Sequence, residues 1–213
     1  MTSPRILIVD DHPLFRRGVR QLIDMDDNML VAGEASNGAD AVRMAAELDL
    51  DLILMDLHMA QVDGLEALGQ IRGADIDTRI VMLTVSDANE DIVAALRAGA
   101  DGYLLKDMEP EDLLVHIQQA AKGIMVVSPQ LATILADAIG GRRTASVDVL
   151  TTLTSRERDI LRALAKGRSN KMIARQLAIT EGTVKVHVKH LLKKLNLRSR
   201  VEAAVWAVNH GAV

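Results

Sequence analysis

Four short apolar runs in the first half of this chain each stop at a residue that can carry chemistry. Ile6-Leu7-Ile8-Val9 stops at Asp10-Asp11, and Leu52-Ile53-Leu54-Met55 stops at Asp56. Ile80-Val81-Met82-Leu83 stops at Thr84, and the shorter Tyr103-Leu104-Leu105 stops at Lys106. Unbroken apolar runs of this length, without polar alternation, describe strands buried on both faces, as in a parallel sheet. In an open α/β sheet, ligands collect beyond the carboxyl ends of the strands. One crevice is therefore expected to hold three carboxylates, a hydroxyl and an ammonium.

Strands are predicted near 5–10, 29–34, 51–55, 79–84 and 102–105, with helical patterns over 13–26, 38–48, 64–72, 89–98 and 110–122. Five βα units imply a parallel sheet with helices on both faces. Gly99 and Gly123 stand where helices should stop, and Pro110 stands where one should start. Ser128-Pro129 opens a short helix expected near 128–139, and Gly140 to Ser146 reads as linker. The expected division is an α/β domain over 1–123, a linker over 124–150 and a small all-α domain over 151–213.

The crevice suits phosphoryl transfer to the protein itself. Asp56 is the expected nucleophile, since a carboxylate can form an acyl phosphate. Asp10 and Asp11, together with Asp56, would hold Mg²⁺, which takes one or two carboxylates plus phosphate and water oxygens. Lys106 would offer a point charge, and Thr84 a hydroxyl, to the phosphoryl oxygens. A lone Asp after a strand is commonly a turn residue or a cap. Five such residues at four strand ends are far harder to reach by accident.

The last third has the opposite charge. Residues 151–213 carry thirteen Lys+Arg against four Asp+Glu, whereas residues 1–150 carry twelve against twenty-five. A basic end of this kind suits double-stranded DNA. Thr154-Ser155-Arg156-Glu157 and Ser199-Arg200-Val201-Glu202 read as capping boxes. Ser169 and Thr180 are candidate N-caps, and a helix, tight break and second helix over 170–195 have helix–turn–helix layout. In the second of these helices Val184, Val188, Leu191 and Leu195 form an apolar stripe. Lys185, Val186 and Lys189 lie on another face and could meet base edges in a major groove. Lys193, Lys194, Arg198 and Arg200 suit phosphates. Taken alone, the segment would equally fit an amphipathic helix with a solvated Lys face. His187 and His190 have no acidic partner nearby and are read as surface or phosphate contacts.

On Asp10-Asp11, Asp56, Thr84 and Lys106, residues 1–123 resemble a response-regulator receiver domain. The resemblance implies a doubly wound, flavodoxin-like sheet of order 2-1-3-4-5. It implies a phosphorylation switch through Thr84 and the aromatic Tyr103, for which a half-buried packing role is the alternative. It also implies that the backbone carbonyl of His58 joins the metal ligands. Ala60 and Asp107 depart from the family, which often has Pro at both places. Residues 151–213, from Leu153-Thr154-Ser155-Arg156-Glu157 to Val201-Glu202-Ala203-Ala204, resemble a four-helix LuxR-type domain. Gly182 stands where Ser is more usual. The combination is that of the NarL/FixJ family, and the runs Asp101–Leu113 and Asn170–Leu195 are similar to its nitrate/nitrite-responsive members. The resemblance implies a sensor histidine kinase as phosphodonor, a receiver that covers the recognition helix until phosphorylated, a homodimer paired through the last helix, and RNA polymerase downstream.

Composition limits the other classes. The chain has no cysteine, which excludes disulfides, thiolate catalysis and Cys-based metal centres. No apolar run approaches the roughly 20 residues of a spanning helix, and no signal-peptide layout precedes the first strand. The expectation is a cytoplasmic regulator without membrane contact and without enzymatic turnover. Two other classes stay open: a phosphate-independent DNA binder whose receiver only dimerises or docks, and a phosphatase with Asp56 as nucleophile. Such hydrolases often place a second Asp two residues on, where His58 stands here.

Overall fold

In a computed structural model, which describes residues 3–126, 150 and 152–210, the chain forms a five-stranded parallel sheet followed by four helices. The sheet comprises β1 (Arg5–Val9), β2 (Leu30–Ala35), β3 (Leu52–Met55), β4 (Arg79–Thr84) and β5 (Gly102–Leu105), in the order β2-β1-β3-β4-β5. The order reverses beside β1, and the crevice opens at the carboxyl ends of β1 and β3. The helices α1 (Pro13–Asp24), α2 (Gly38–Glu47), α3 (Gly64–Gly73), α4 (Asn89–Ala98) and α5 (Pro110–Ala121) alternate with the strands. The expected short helix near 128–139 and the linker at Gly140 to Ser146 lie outside the described residues.

The pleat divides each apolar run between two cores. Leu7, Val9, Ile53, Met55, Ile80 and Met82 face one side, with Ala41, Leu68 and Leu96 from α2, α3 and α4. Ile6, Ile8, Leu52, Leu54, Val81 and Leu83 face the other, with Val19 and Ile117 from α1 and α5. Each fully buried Leu or Ile contributes about 1.5–3 kcal/mol, so strand register is fixed from both faces. Gly99 ends α4 with a φ of 107°, a conformation in which a Cβ would be strained. Gly64 starts α3 so close to β3 that a Cβ there would lie 2.0 Å from the Asp56 carbonyl oxygen.

The C-terminal helices are α6 (Ser155–Ala165), α7 (Asn170–Leu177), α8 (Glu181–Leu195) and α9 (Arg200–Asn209). Thr154 and Glu157 complete the first capping box, with the Thr154 amide donating to Glu157 Oε2 at 2.8 Å. Ser169 and Thr180 cap α7 and α8. The second box is only half made. Ser199 accepts from the Glu202 amide, but the Glu202 carboxylate accepts from the Arg198 amide and pairs with Arg97 of α4. Val184, Leu191 and Leu195 are buried with Ile160, Leu161 and Trp206 in a third core.

Helix α9 joins the two halves. Val201 and Val205 extend the receiver-side core beside Ile92 and Leu96 of α4, while Ala203, Trp206 and Ala207 complete the third core. Around this apolar contact lie polar ones. Asp77 Oδ2 accepts from Asn170 at 2.7 Å and stands 3.6 Å from Lys185 Nζ. Lys171 stands 3.9 Å from Asp51, and Arg200 3.6 Å from Asp101.

Asp101 is the most enclosed of these charges. Its Oδ2 accepts from Arg72 at 2.8 Å and from the Ile80 amide at 3.0 Å. Burial opposes its ionisation, yet Arg72, Arg79 and Arg200 together hold the carboxyl below the usual range. A carboxyl depressed in this way stabilises the fold above its unfolded pKa and ceases to do so as pH falls through the folded value. Asp101→Ala would take the hydrogen-bond acceptor from Arg72 and the balancing negative charge from Arg79 and Arg200. The expected loss is about 3–5 kcal/mol, read as a fall in the urea midpoint. An unchanged midpoint would mean that the node contributes nothing net.

Candidate functional site: an acidic pocket at the strand ends

The sheet brings Asp10, Asp11, Asp56, Thr84 and Lys106 together. The β1–β3 register pairs Val9 with Met55, so the chains that follow place Asp10 and Asp56 side by side, both buried. Lys106 Nζ lies between them, 2.7 Å from Asp10 Oδ2 and 2.6 Å from Asp56 Oδ2. Thr84 is fully buried, and its Oγ1 accepts from the Ser86 amide at 3.3 Å.

Several supporting groups were not legible from the strand-end pattern. Phe15, on the first turn of α1, places its ring centroid 4.7 Å from Lys106 Nζ, a cation–π contact that steadies the ammonium. Arg16 donates to the Asp10 carbonyl, and the His12 amide donates to Asp10 Oδ1 at 2.8 Å. The Ala60 amide donates to Asp11 Oδ2 at 3.3 Å. Proline, frequent here in the family, has no N–H to give, so this departure adds a support to Asp11. The Lys106–Asp107 peptide, where the other departure falls, is trans.

The donor set suits a hard divalent cation. Asp10, Asp11, His12 and Asp56 each offer one ligand atom, and these atoms lie within 4.8 Å of one another. Asp56 Oδ1 is buried without a hydrogen-bond partner, a costly state for a carboxylate oxygen that a cation would relieve, and Asp11 Oδ1 has only the His12 imidazole beside it, at 2.8 Å. The imidazole of His58 lies outside this set, with Nε2 3.3 Å from Asp91 Oδ2 on α4.

Tyr103 points inward. Its ring is buried, and its hydroxyl donates to the Ser86 carbonyl at 2.9 Å. Ser86 in turn donates to Asp91 at 2.6 Å, so Thr84, Tyr103 and α4 meet at one residue. Burial pushes the Tyr103 phenol up to about 12. Tyr103 is the sole tyrosine of the chain, so its titration can be followed alone. Phenolate absorbance at 295 nm should rise with a midpoint near pH 12. A raised phenol stabilises the fold below its unfolded pKa and ceases to do so as pH rises through the folded value. The linked stability should therefore fall between about pH 10 and 12. An ordinary midpoint near 10 would place the ring in solvent instead.

On the basic side, α8 keeps Val186 exposed. Lys185 faces Asp77 across the interdomain contact. Lys194 donates to Glu157 at 2.7 Å and to the Thr152 carbonyl, so its ammonium ties α8 to the cap of α6. Ala178, between α7 and α8, takes a left-handed conformation with a φ of 52°, which gives the helix–turn–helix its sharp break.

With this geometry in place, comparison with known proteins is direct. Residues 6–118 match the response regulator receiver domain, and residues 151–207 match the luxR family of bacterial regulatory proteins. The chain is 56% identical over 201 residues to the nitrate/nitrite response regulator protein NarL of Escherichia coli K12, covering 94% of this chain and 93% of that one. It is 49% identical over 205 residues to NarP of the same organism, covering 96% and 94%. Among solved structures, the response regulator ChrA of a heme-sensing two-component system is 31% identical, with a TM-score of 0.52 over the whole of both chains. No helix among the described residues is long and apolar enough to cross a membrane. Strand order, acidic pocket, helix–turn–helix and these matches together make the chain a two-component response regulator, a receiver domain followed by a LuxR-type DNA-binding domain, in the family that includes NarL and NarP.

Proposed function

We propose that a sensor histidine kinase phosphorylates Asp56, and that this releases the C-terminal domain to dimerise, bind DNA and regulate transcription. The observation that carries the reading is the state of Asp56, with one carboxylate oxygen on Lys106 and the other buried without a partner. In the transfer, an Asp56 oxygen forms a bond to phosphorus as the kinase's N–P bond breaks. Lys106 and the Thr84 hydroxyl steady the charge on the transferred group. Asp10, Asp11, Asp56 and the His58 carbonyl would hold Mg²⁺, which neutralises the carboxylates and orients the phosphoryl oxygens. Thr84 and Tyr103, through Ser86, would pass the change to α4.

The interdomain contact supports occlusion. Asp77 engages Asn170 of α7 and Lys185 of α8, and α4 covers Val201 and Val205 of α9. The closed form thus takes up both the edge of the recognition helix and the helix by which two subunits would pair. Phosphorylation then shifts the population from closed to open. In the open dimer Lys185, Val186 and Lys189 would meet bases. Lys193 would meet phosphate, and Lys194, already tied to Glu157, would stand beside it. RNA polymerase is the downstream partner, in the cytoplasm. Likeness to NarL and NarP supports nitrate or nitrite as the stimulus. The alternative is a regulator that binds DNA regardless of phosphate, with the receiver only a dimerising or docking module.

Fluorescence anisotropy of the whole chain on an inverted-repeat duplex tests this. Affinity should rise with a small phosphodonor and Mg²⁺, and that gain should vanish in Asp56→Asn. In Asp77→Lys, unphosphorylated protein should bind more tightly than wild type. Binding indifferent to phosphodonor would favour the alternative. Lys189→Ala should cost about 1–3 kcal/mol on the specific site if it reads a base. An equal loss on every sequence would make it a phosphate contact.

A further inference from the structure

We propose that His12 is a nitrogen ligand of the acidic pocket, and that it gives the pocket a preference for late first-row divalent ions such as Co²⁺, Ni²⁺ and Zn²⁺ over Mg²⁺. The inference rests on reading the pocket as a divalent-cation site. It adds a specificity-determining residue that the strand-end chemistry does not contain.

The geometry is that of neighbouring ligands. His12 Nδ1 stands 2.8 Å from Asp11 Oδ1 and 3.6 Å from Asp10 Oδ1. An octahedral ion with bonds of about 2.1 Å sets adjacent ligands about 3 Å apart and opposite ones about 4.2 Å apart. The four ligand atoms span no more than 4.8 Å, so closing on an ion needs movements of a few tenths of an ångström. Despite the 2.8 Å approach, Asp11 Oδ1 has no hydrogen-bond partner. The imidazole nitrogen and the carboxylate oxygen are close enough to be adjacent ligands of one ion.

The imidazole is also set on a fixed base. His12 is the N-cap of α1, with an extended backbone, and Pro13 follows it. Its amide is held by Asp10 Oδ1 and its carbonyl by the Arg16 amide at 3.1 Å. The side chain therefore has only its own torsions to settle, while its exposed face gives ions a path from solvent.

Ligand chemistry then sets the preference. Carboxylates alone suit hard ions that keep their water. One imidazole among carboxylates moves affinity up the Irving–Williams series, because nitrogen bonds strengthen toward the late metals, whereas Mg²⁺ gains little from nitrogen. An ion of that class would occupy the same carboxylates as Mg²⁺, so the two compete for the pocket.

Isothermal titration of the full chain with Mg²⁺, Co²⁺ and Ni²⁺ tests the assignment, using wild type, His12→Ala, His12→Asn and Asp56→Asn. The cobalt d–d spectrum is recorded in parallel. Only binding lost in Asp56→Asn is counted, which sets aside the other histidines of the chain. The expected result is a loss of about tenfold or more for Co²⁺ and Ni²⁺ in both His12 variants, with Mg²⁺ affinity changed less than about twofold. The cobalt spectrum should also shift. Equal losses for all three ions would show that His12 acts through Asp11 rather than on the metal, and would overturn the proposal. No loss for any ion would overturn it as well, while leaving the pocket a Mg²⁺ site. If no ion shows binding that depends on Asp56, the reading of the pocket itself falls together with this inference.

Discussion

Lys106 between Asp10 and Asp56 is the interaction on which the rest of the receiver depends. Two ionised carboxylates about 4 Å apart repel by about 4 kcal/mol at an effective dielectric near 20, and burial raises the cost of each. An ammonium within 2.7 Å of both converts that repulsion into a three-point ion cluster. The ends of β1, β3 and β5 are thereby held at one place. The cluster explains the supports around it. Phe15 lies against the ammonium, while Arg16 and the His12 amide fix Asp10 from the other side. It also explains why the pocket is both stable and poised, since Lys106 satisfies one oxygen of Asp56 and leaves the other without a partner.

Much of this was legible in the sequence, for a definite reason. The strands are buried on both faces, so their apolar runs are uninterrupted, and each run's first polar residue marks a strand end. The sheet then does the assembling, and Asp10, Asp11, Asp56, Thr84 and Lys106 converge because parallel strands end on one side. Helix boundaries followed from Gly99, Pro110, Thr154 and Ser169, whose local chemistry acts within a few residues. What could not be read were partners distant in sequence. Nothing in the neighbourhood of Glu202 announces that it will prefer the Arg198 amide and Arg97 to its own cap. Asp101 looks like an ordinary turn residue until three arginines from three elements converge on it.

The charge split between the halves was visible in composition, but its use was not. Thirteen basic residues after position 150 and a strongly acidic first part suggest attraction without saying where. The structure concentrates it at a few sites, with Asp77 facing Asn170 and Lys185, and Asp101 facing Arg200. One pair runs the other way, Arg97 to Glu202, so the contact has a register as well as an overall sign. Most of these pairs are partly exposed and individually weak. Their arrangement around an apolar centre fixes orientation more than it adds stability.

Helix α9 completes two cores at once, with Val201 and Val205 turned to the receiver and Ala203, Trp206 and Ala207 to the DNA-binding domain. This bears on how such proteins diversify. Receiver and effector are separate by fold, which suggests parts that could be exchanged freely between paralogues. A helix shared between two cores limits that freedom. A substitution at Val205 that suits a new effector must still fit Ile92 and Leu96 of the old receiver. Recombination within this architecture is therefore expected to succeed where α4 and α9 are inherited as a pair. Drift in one should be followed by compensation in the other, however far apart they lie along the chain.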